Sequence, residues 1–336
     1  MIGSSETCGQ GQVPALIIDV QHHYTPAELV AVPSTGRPTA EYTDGNPSFT
    51  FNPRISDLDA HIKDMDEAGV DAAVLTCSVG MNNLDLDVCR LINDRMKEAE
   101  EKYPGRFFGL AHAPAIGPGF ADELKRCRDE LGFQGAVMVS EPQGLGLDAT
   151  ELEDYYAAVS DLGMYVFVHP LLTSLSYTML DNDYDLQRSI GREFSLATAT
   201  VRLINGGILD RFPDLLVQMA HMAGGLAAIL GRVRRHQEKE DLGIADHPRH
   251  GKLPEKDFMH YLTERMIFDT AGITGEINAV KSALLEIPAS RIVFASDYPQ
   301  EIKTAGALKK FIDDIRALGP DGEMILDEGG RLRAAA

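Results

Sequence analysis

Short runs of apolar residues alternate along the chain with longer segments in which apolar residues recur at helical spacing. The first run, Ile17 to Val20, is continuously apolar apart from Asp19 and has no helical period. Such a run is typical of a strand that is covered on both faces. The segment from Arg54 to Gly69 instead carries apolar residues on one helical face and ends in glycine, which indicates an amphipathic helix and its stop.

The same strand and helix unit recurs to the end of the chain. Strands are predicted at 17–20, 71–76, 107–111, 135–139, 165–168, 215–220, 266–269 and 292–295, with helices at 54–69, 84–103, 120–131, 151–162 and 186–209. Eight such strands in 336 residues favour an α/β fold of the (β/α)8 TIM barrel type over an open doubly wound sheet. No G-x-G-x-x-G or P-loop pattern follows any strand, which weakens a nucleotide-binding interpretation.

The barrel is expected to form a single domain over residues 16–332, with extra loops and C-terminal helices. Residues 1–15 lack a basic start and a long apolar run, so they are interpreted as a flexible N-terminal tail rather than a signal peptide. Residues 28–51 are rich in Pro, Thr, Gly and Asn and predict a long loop over the mouth of the barrel. The sequence leaves undecided whether this loop closes over the site as a lid.

The composition limits the classes of molecule that the protein is expected to bind. The formal net charge of -20 argues against nucleic acid or an anionic membrane surface, and it means that an anionic substrate needs its own cationic site. The four cysteines, Cys8, Cys77, Cys89 and Cys127, form no C-x-x-C pair, which favours free thiols in a reducing, cytoplasmic setting.

Reactive side chains follow four of the predicted strands. Gln21 and His23 follow the first strand, His169 the fifth, His221 the sixth and Asp297 the eighth. Active sites of TIM barrels are built at these carboxyl ends of the strands. Imidazoles and a carboxylate that converge there predict a mononuclear divalent metal site with an adjacent acid or base.

Several neighbouring residues allow two interpretations. His112, after the third strand, either lines the pocket or forms a structural hydrogen bond. His22 alternates to the face opposite Gln21 and is expected to be structural, unless a one-residue bulge in the strand exchanges the two residues. Asp269 is expected to orient its neighbours rather than to bind metal, and Tyr24 either contacts substrate or packs.

Four segments together resemble the amidohydrolase superfamily. They are Asp19–Pro26 (DVQHHYTP), Val166–Pro170 (VFVHP), Arg211–Leu215 (RFPDL, leading to His221 and Gly224-Gly225) and Ser296–Pro299 (SDYP). More narrowly, they are similar to its metal-dependent decarboxylase branch, typified by aminocarboxymuconate-semialdehyde decarboxylase and γ-resorcylate decarboxylase. The resemblance extends from Leu16 to Leu332; it is specific for the family and much less so for the substrate.

The resemblance implies a role for each matching residue. His23, His169 and Asp297 match metal ligands, and His221 matches the catalytic acid or base, with Asp297 as a second possible proton donor. Arg232 matches an arginine that holds the substrate carboxylate in a neighbouring subunit's site, which implies a homodimer or higher oligomer. The implied cofactor is one divalent ion, zinc or manganese.

Two positions depart from the family pattern. Gln21 stands where the family has His or Glu, and its amide oxygen is a weaker ligand, which lowers the expected metal affinity and changes the charge of the site. The segment Met222-Ala223-Gly224-Gly225 replaces a glycine run and is expected to alter the shape of the pocket.

The first functional hypothesis is a non-oxidative decarboxylase, a carbon-carbon lyase, acting on an unsaturated or aromatic carboxylic acid. Tyr24, His112 and Arg232 are its candidate substrate-binding residues. The second hypothesis is a hydrolase or hydratase that uses a metal-activated water. The third is a binding paralogue in which Gln21 has impaired catalysis.

Overall fold

Ten strands are present in a computed structural model that describes residues 16–30, 40–43, 46–50, 53–171, 180, 184–237 and 254–335. In chain order they are β1 (Ile18–His23), β2 (Ala40–Thr43), β3 (Asn46–Thr50), β4 (Ala72–Thr76), β5 (Phe107–Gly109), β6 (Gly135–Val139), β7 (Tyr165–His169), β8 (Val217–Met219), β9 (Met266–Asp269) and β10 (Ile292–Val293). All strands except β2 and β3 pair in parallel, in one sheet of three strands (β1-β4-β5) and one of five (β10-β9-β8-β7-β6).

Backbone hydrogen bonds join the two parallel sheets at both edges. Beyond β5, Ala111 donates to the Gly135 carbonyl at 2.9 Å and accepts from the Val137 amide at 2.9 Å. At the other edge, the Val20 amide donates to the Phe294 carbonyl at 3.1 Å, and the Asp297 amide donates to the Gln21 carbonyl at 3.1 Å. The eight strands therefore close on themselves, and the predicted barrel is confirmed.

Helices separate the strands and cover the barrel. The α-helical segments are α1 (Leu58–Ala68), α2 (Leu86–Lys102), α3 (Phe120–Arg126), α4 (Glu153–Asp161), α5 (Arg192–Asn205), α6 (Ile208–Arg211), α7 (His221–Gly225), α8 (Leu230–Gln237), α9 (Phe258–His260), α10 (Ile277–Ala283), α11 (Ala305–Arg316) and α12 (Pro320–Ala335). π-helical turns at Cys127–Leu131, Gln187–Gly191 and Tyr261–Arg265 adjoin α3, α5 and α9. None of these helices has the length and apolar character that a bilayer crossing requires, within the part of the chain that the structure describes.

Side-chain caps set the helix boundaries more tightly than apolar spacing predicts. The helix predicted from Arg54 begins at Leu58, because the Asp57 carboxylate accepts the Ala60 amide at 3.1 Å. It ends as expected at Gly69, whose φ of 81° is left-handed. The helix predicted from residue 84 begins at Leu86 for the same reason, since the Asp85 carboxylate caps it.

Two predicted boundaries are corrected by the structure. The first strand was expected to end at Val20, yet β1 continues to His23, so that Gln21 and His23 are strand residues. The predicted loop at 28–51 contains the antiparallel hairpin of β2 and β3. The interpretation of residues 1–15 as a tail lies outside the described residues.

The C-terminal helices complete the barrel, as expected. The helix α12 packs against β1 and β10 and buries Ile325 and Leu326. The three described cysteines, Cys77, Cys89 and Cys127, are buried and unpaired.

Candidate active site and metal centre

The end of β1 delivers two polar side chains to the interior. Gln21 and His23 are both buried, at 0% and 1% exposure. The Nδ1 atom of His23 lies 3.0 Å from the Thr76 hydroxyl on the adjacent strand, which turns Nε2 toward Asp297, 2.6 Å from its Oδ1. The side chain of Gln21 approaches His221, with 3.4 Å between the two Nε2 atoms. The alternation expected of Gln21 and His23 is therefore present.

His22 points away from these groups, as its place in the strand predicts. Its Nδ1 lies 2.9 Å from the Asp19 carboxylate and its Nε2 lies 3.2 Å from Nδ1 of His61. Its ring stacks on Tyr298, with 4.8 Å between the ring centroids. Pairing with β4 shifts register between Asp19 and His22, but this irregularity leaves Gln21 on the side of His221. His22 thus has the surroundings of a structural residue.

Three side chains converge at the end of the barrel strands, and two of them carry buried atoms without a hydrogen-bond partner. One donor atom from each of His23, His169 and Asp297 lies within 4.8 Å of the other two. Nδ1 of His169 lies 2.8 Å from the Pro170 carbonyl, so Nδ1 carries the proton and Nε2 presents a lone pair. That Nε2, both carboxylate oxygens of Asp297 and Oε1 of Gln21 are buried and accept no hydrogen bond of good geometry. Buried polar atoms without partners are rare, and this donor set fits a divalent metal ion.

The electrostatics keep these ligands in the form that a metal needs. Burial lowers the pKa of His169 well below that of an exposed histidine, and the neighbouring His23 acts in the same direction. Burial alone would raise the pKa of Asp297, but the nearby imidazole of His23, and then His221, hold it below its usual range. Since metal ligands must be deprotonated, neutral His169 and ionised Asp297 are prepared for binding.

His221 is presented by α7, a short segment whose backbone is left-handed and not that of an ordinary α-helix. From His221 to Gly225, every residue has a positive φ, between 50° and 70°. Non-glycine residues adopt this conformation at a cost of about 1–2 kcal/mol each, and such strain concentrates at functional sites. Two glycines permit close approaches there: a Cβ on Gly224 would lie 1.8 Å from the Glu193 carbonyl oxygen, and one on Gly272 would lie 2.2 Å from the His221 ring.

Three groups hold the His221 side chain and its backbone. Glu193 places Oε1 2.9 Å from Nδ1 of the ring, and Asp297 places Oδ2 3.7 Å from Nε2. The backbone amide of His221 donates to Asp269 at 3.0 Å. Burial alone would lower the pKa of His221, but the Glu193 carboxylate, through charge and a hydrogen bond, raises it.

Asp269 orients its neighbours, as expected. Its carboxylate accepts the amides of His221 and Ala271 and the side-chain amide of Gln218, at 3.0, 3.2 and 2.8 Å. Burial raises the pKa of Asp269 to about 6.

A cavity of about 340 Å³ lies over His23, His169 and Asp297. Its lining combines apolar residues, among them Val79, Met81, Val139 and Leu171, with charged residues. A small concave site with an apolar wall and a few polar groups at its base is typical of small-molecule binding.

Three candidates from the sequence lie elsewhere. Both ring nitrogens of His112 are engaged by the backbone, Nδ1 with the Leu110 carbonyl at 2.9 Å and Nε2 with the Cys77 amide at 3.0 Å. Tyr24 is buried outside the residues that line the cavity, and its burial raises its pKa to about 12. Arg232 is exposed on α8 and is not among the described residues that line the cavity of its own chain.

Sequence reasoning missed Glu193, Thr76 and Arg192. Glu193 and Arg192 open α5 directly after a π-helical turn, in a stretch whose apolar spacing signals only a helix. Thr76 ends a predicted strand, where a hydroxyl carries no distinctive signal. Each of the three acquires its place in the site through contacts between distant parts of the chain.

Comparison with known proteins agrees with this architecture. The family profile described as amidohydrolase matches residues 18–319. γ-Resorcylate decarboxylase of Rhodococcus jostii is 27% identical over 299 residues, which covers 82% of this chain and 87% of that protein.

Solved structures show the same fold. A crystal structure of 2,6-dihydroxybenzoate decarboxylase with 2,6-dihydroxybenzoate superposes with a TM-score of 0.77 at 21% identity and covers 95% of this chain and 99% of that one. That of 5-carboxyvanillate decarboxylase from Novosphingobium aromaticivorans, with bound manganese, gives a TM-score of 0.77 at 24% identity and covers 93% and 94% of the two chains. With a family match across most of its length and the barrel of these structures, the chain belongs to the amidohydrolase family.

Proposed function

We propose that this protein is a metal-dependent, non-oxidative decarboxylase of an aromatic carboxylic acid. The observation that carries the proposal is the convergence of His23, His169 and Asp297 at the cavity, with buried atoms of His169 and Asp297 left without hydrogen-bond partners, beside the His221–Glu193 pair. The similarity to γ-resorcylate decarboxylase selects decarboxylation among the reactions that such a site supports.

His23, His169 and Asp297 would hold the metal, with Oε1 of Gln21 as a weaker fourth ligand. When bound, the ion supplies positive charge that polarises substrate oxygens. Manganese is favoured over zinc, because carboxylate and amide oxygens suit it and because manganese is present in the 5-carboxyvanillate decarboxylase structure. The substitution at Gln21 removes one negative charge from the site relative to a glutamate.

The chain's own residues account for the proton that decarboxylation requires. Loss of carbon dioxide breaks the bond between the ring and the carboxylate, and the electron pair left on the ring carbon takes up one proton. Asp297 faces the cavity, and His221, whose Nε2 lies 3.7 Å from Oδ2 of Asp297, stands behind it. We assign Asp297 as the group that passes the proton to the ring and His221 as the group that resupplies it.

Three further features belong to the proposal. Residues 16–332 act as one domain in the cytoplasm, a setting that suits the unpaired described cysteines. Arg232, exposed on α8, would reach the cavity of a second subunit in a homo-oligomer.

The test is release of carbon dioxide from 2,6-dihydroxybenzoate and 5-carboxyvanillate by protein loaded with manganese, followed by ¹³C NMR. We expect turnover by the wild type, loss of turnover in Asp297→Asn and His221→Asn, and normal turnover in the matched control Asp148→Asn. Asp148 pairs with Arg202, outside the cavity. Addition of water to a lactone or ester without release of carbon dioxide would point instead to a hydrolase, and absence of both metal and reaction to a binding protein.

A further inference from the structure

The cavity contains a buried cation that the proposed mechanism does not use. Arg192, the first residue of α5, lines the cavity together with His169 and Asp297 and is only 9% exposed. Its Nε is buried and has no hydrogen-bond partner. Among the residues that the structure describes, no carboxylate forms an ion pair with its guanidinium.

A buried charge without a counterion is unfavourable, so proteins normally pair it. Two neighbouring carboxylates are already engaged: Glu193, the next residue in the chain, holds His221, and Asp297, on which the charge of Arg192 acts, lies against His23. Because Gln21 is uncharged, it adds no acidic group beside Asp297. The anion that balances Arg192 is therefore expected to come from a ligand.

The charges around the cavity agree with an anionic ligand. The chain carries a net charge of -20, yet the charged side chains that line the cavity are three cations, Arg188, Arg192 and Lys303, and two anions, Asp297 and Glu301. Arg188 pairs with Asp185 and Lys303 lies exposed at the rim. Arg192 is the buried cation of this set.

We propose that Arg192 is a substrate-binding residue that holds a carboxylate of the aromatic acid from within its own chain. A guanidinium suits this task, because its parallel N–H groups donate to both oxygens of a carboxylate. The inference rests on the proposed function for the identity of the ligand as a substrate. It differs from the role expected of Arg232, which requires a second subunit.

A purely structural role makes a different prediction. Arg192 lies close enough to interact electrostatically with His169, His221 and Asp297. If Arg192 only balanced the charge of Asp297, its replacement would change the metal content and the melting temperature. It would then weaken the binding of carboxylates and of an uncharged ring to the same extent.

The experiment is isothermal titration of the metal-loaded protein with benzoate and isophthalate, and with resorcinol, which lacks the carboxylate. In Arg192→Gln we expect binding of the carboxylates to weaken about 10- to 100-fold, as loss of a charged hydrogen bond predicts, with little change for resorcinol. Arg192→Lys keeps the positive charge but lacks the parallel N–H groups of the guanidinium. Its affinity for the carboxylates is expected to lie between those of the wild type and Arg192→Gln. The matched control Arg202→Gln, which removes an exposed arginine that pairs with Asp148, should bind like the wild type.

The outcomes separate the inference from the proposed function. Equal carboxylate affinities in wild type and Arg192→Gln, equal losses for resorcinol and carboxylates, or no carboxylate binding by the wild type would each overturn the inference. If the wild type releases carbon dioxide in spite of such a result, the decarboxylase assignment stands alone. If carboxylate binding depends on Arg192 while no carbon dioxide is released, the binding role of Arg192 is supported and the assignment as a decarboxylase is wrong.

Discussion

Oε1 of Glu193 lies 2.9 Å from Nδ1 of His221, although 28 positions separate the two residues. A carboxylate in this position fixes the tautomer and the orientation of an imidazole. It gives His221 a fixed Nε2 that points toward Asp297, 3.7 Å away.

Removing Glu193 should therefore impair proton supply more than substrate binding. We expect kcat for carbon dioxide release to fall about 100-fold in Glu193→Ala, the lower range for loss of acid–base assistance, with KM little changed. Glu193→Gln keeps an oxygen that accepts a hydrogen bond from Nδ1 of His221, so its kcat should fall only about 10-fold. Steady-state kinetics of both variants, with the exposed Glu151→Ala as control, checks this; a wild-type kcat in Glu193→Ala would refute the role.

Gly272 is required for the position of the His221 ring. A Cβ there would lie 2.2 Å from the ring, whereas one on Gly275 would meet no atom closer than 3.6 Å. Both glycines have positive φ, 72° and 79°, so each alanine variant should lose about 1–2 kcal/mol of stability through backbone strain. Only Gly272→Ala is expected to lower kcat strongly. Melting temperatures and kcat measured for the pair decide the matter, and equal kcat values would show that the ring tolerates displacement.

The Thr76 hydroxyl should contribute to metal affinity through His23. It lies 3.0 Å from Nδ1 of His23, while the Ser78 hydroxyl lies at 3.5 Å from the same atom. Replacement of such an outer partner typically costs about 10- to 100-fold in metal affinity. We expect a loss of this size in Thr76→Val and a smaller one in Ser78→Ala, measured by equilibrium dialysis with manganese. Unchanged affinity in Thr76→Val would mean that His23 is oriented by other contacts.

Acid should destabilise the fold through the buried His112. Burial lowers its pKa to about 4, whereas an exposed histidine titrates near 6.5. Between these values the unfolded chain binds a proton that the folded chain does not, so this stability is present above pH 6.5 and is lost as the pH falls toward 4. The slope is about 1.4 kcal/mol per pH unit for a single group.

His112→Gln removes this titration. We expect it to be less stable at pH 7, because Nδ1 of His112 also bonds the Leu110 carbonyl, but to lose less stability than the wild type as the pH is lowered. Urea unfolding at pH 7, 6 and 5 measures both effects, with the exposed His236→Gln as control. The same slope in wild type and His112→Gln would contradict the assignment.

Local sequence determined a large part of this molecule. The strands at 135–139 and 266–269 have the predicted boundaries, and the first helix ends at Gly69 as its left-handed conformation requires. The alternation of side chains in β1 was enough to separate Gln21 and His23 from His22, because it depends only on the extended backbone. Polar side chains at the ends of predicted strands also pointed to His23, His169 and Asp297, whose donor atoms the structure brings within 4.8 Å of one another.

Only the tertiary structure decided how these parts meet. Gln21 approaches His221 across 200 positions of chain, and Glu193, at the start of α5, reaches His221 across 28 positions. The burial of Arg192 in the cavity likewise depends on how α5 lies against the barrel. Apolar period and caps act between residues a few positions apart, whereas these contacts arise when the barrel closes, and so no local pattern in the sequence records them.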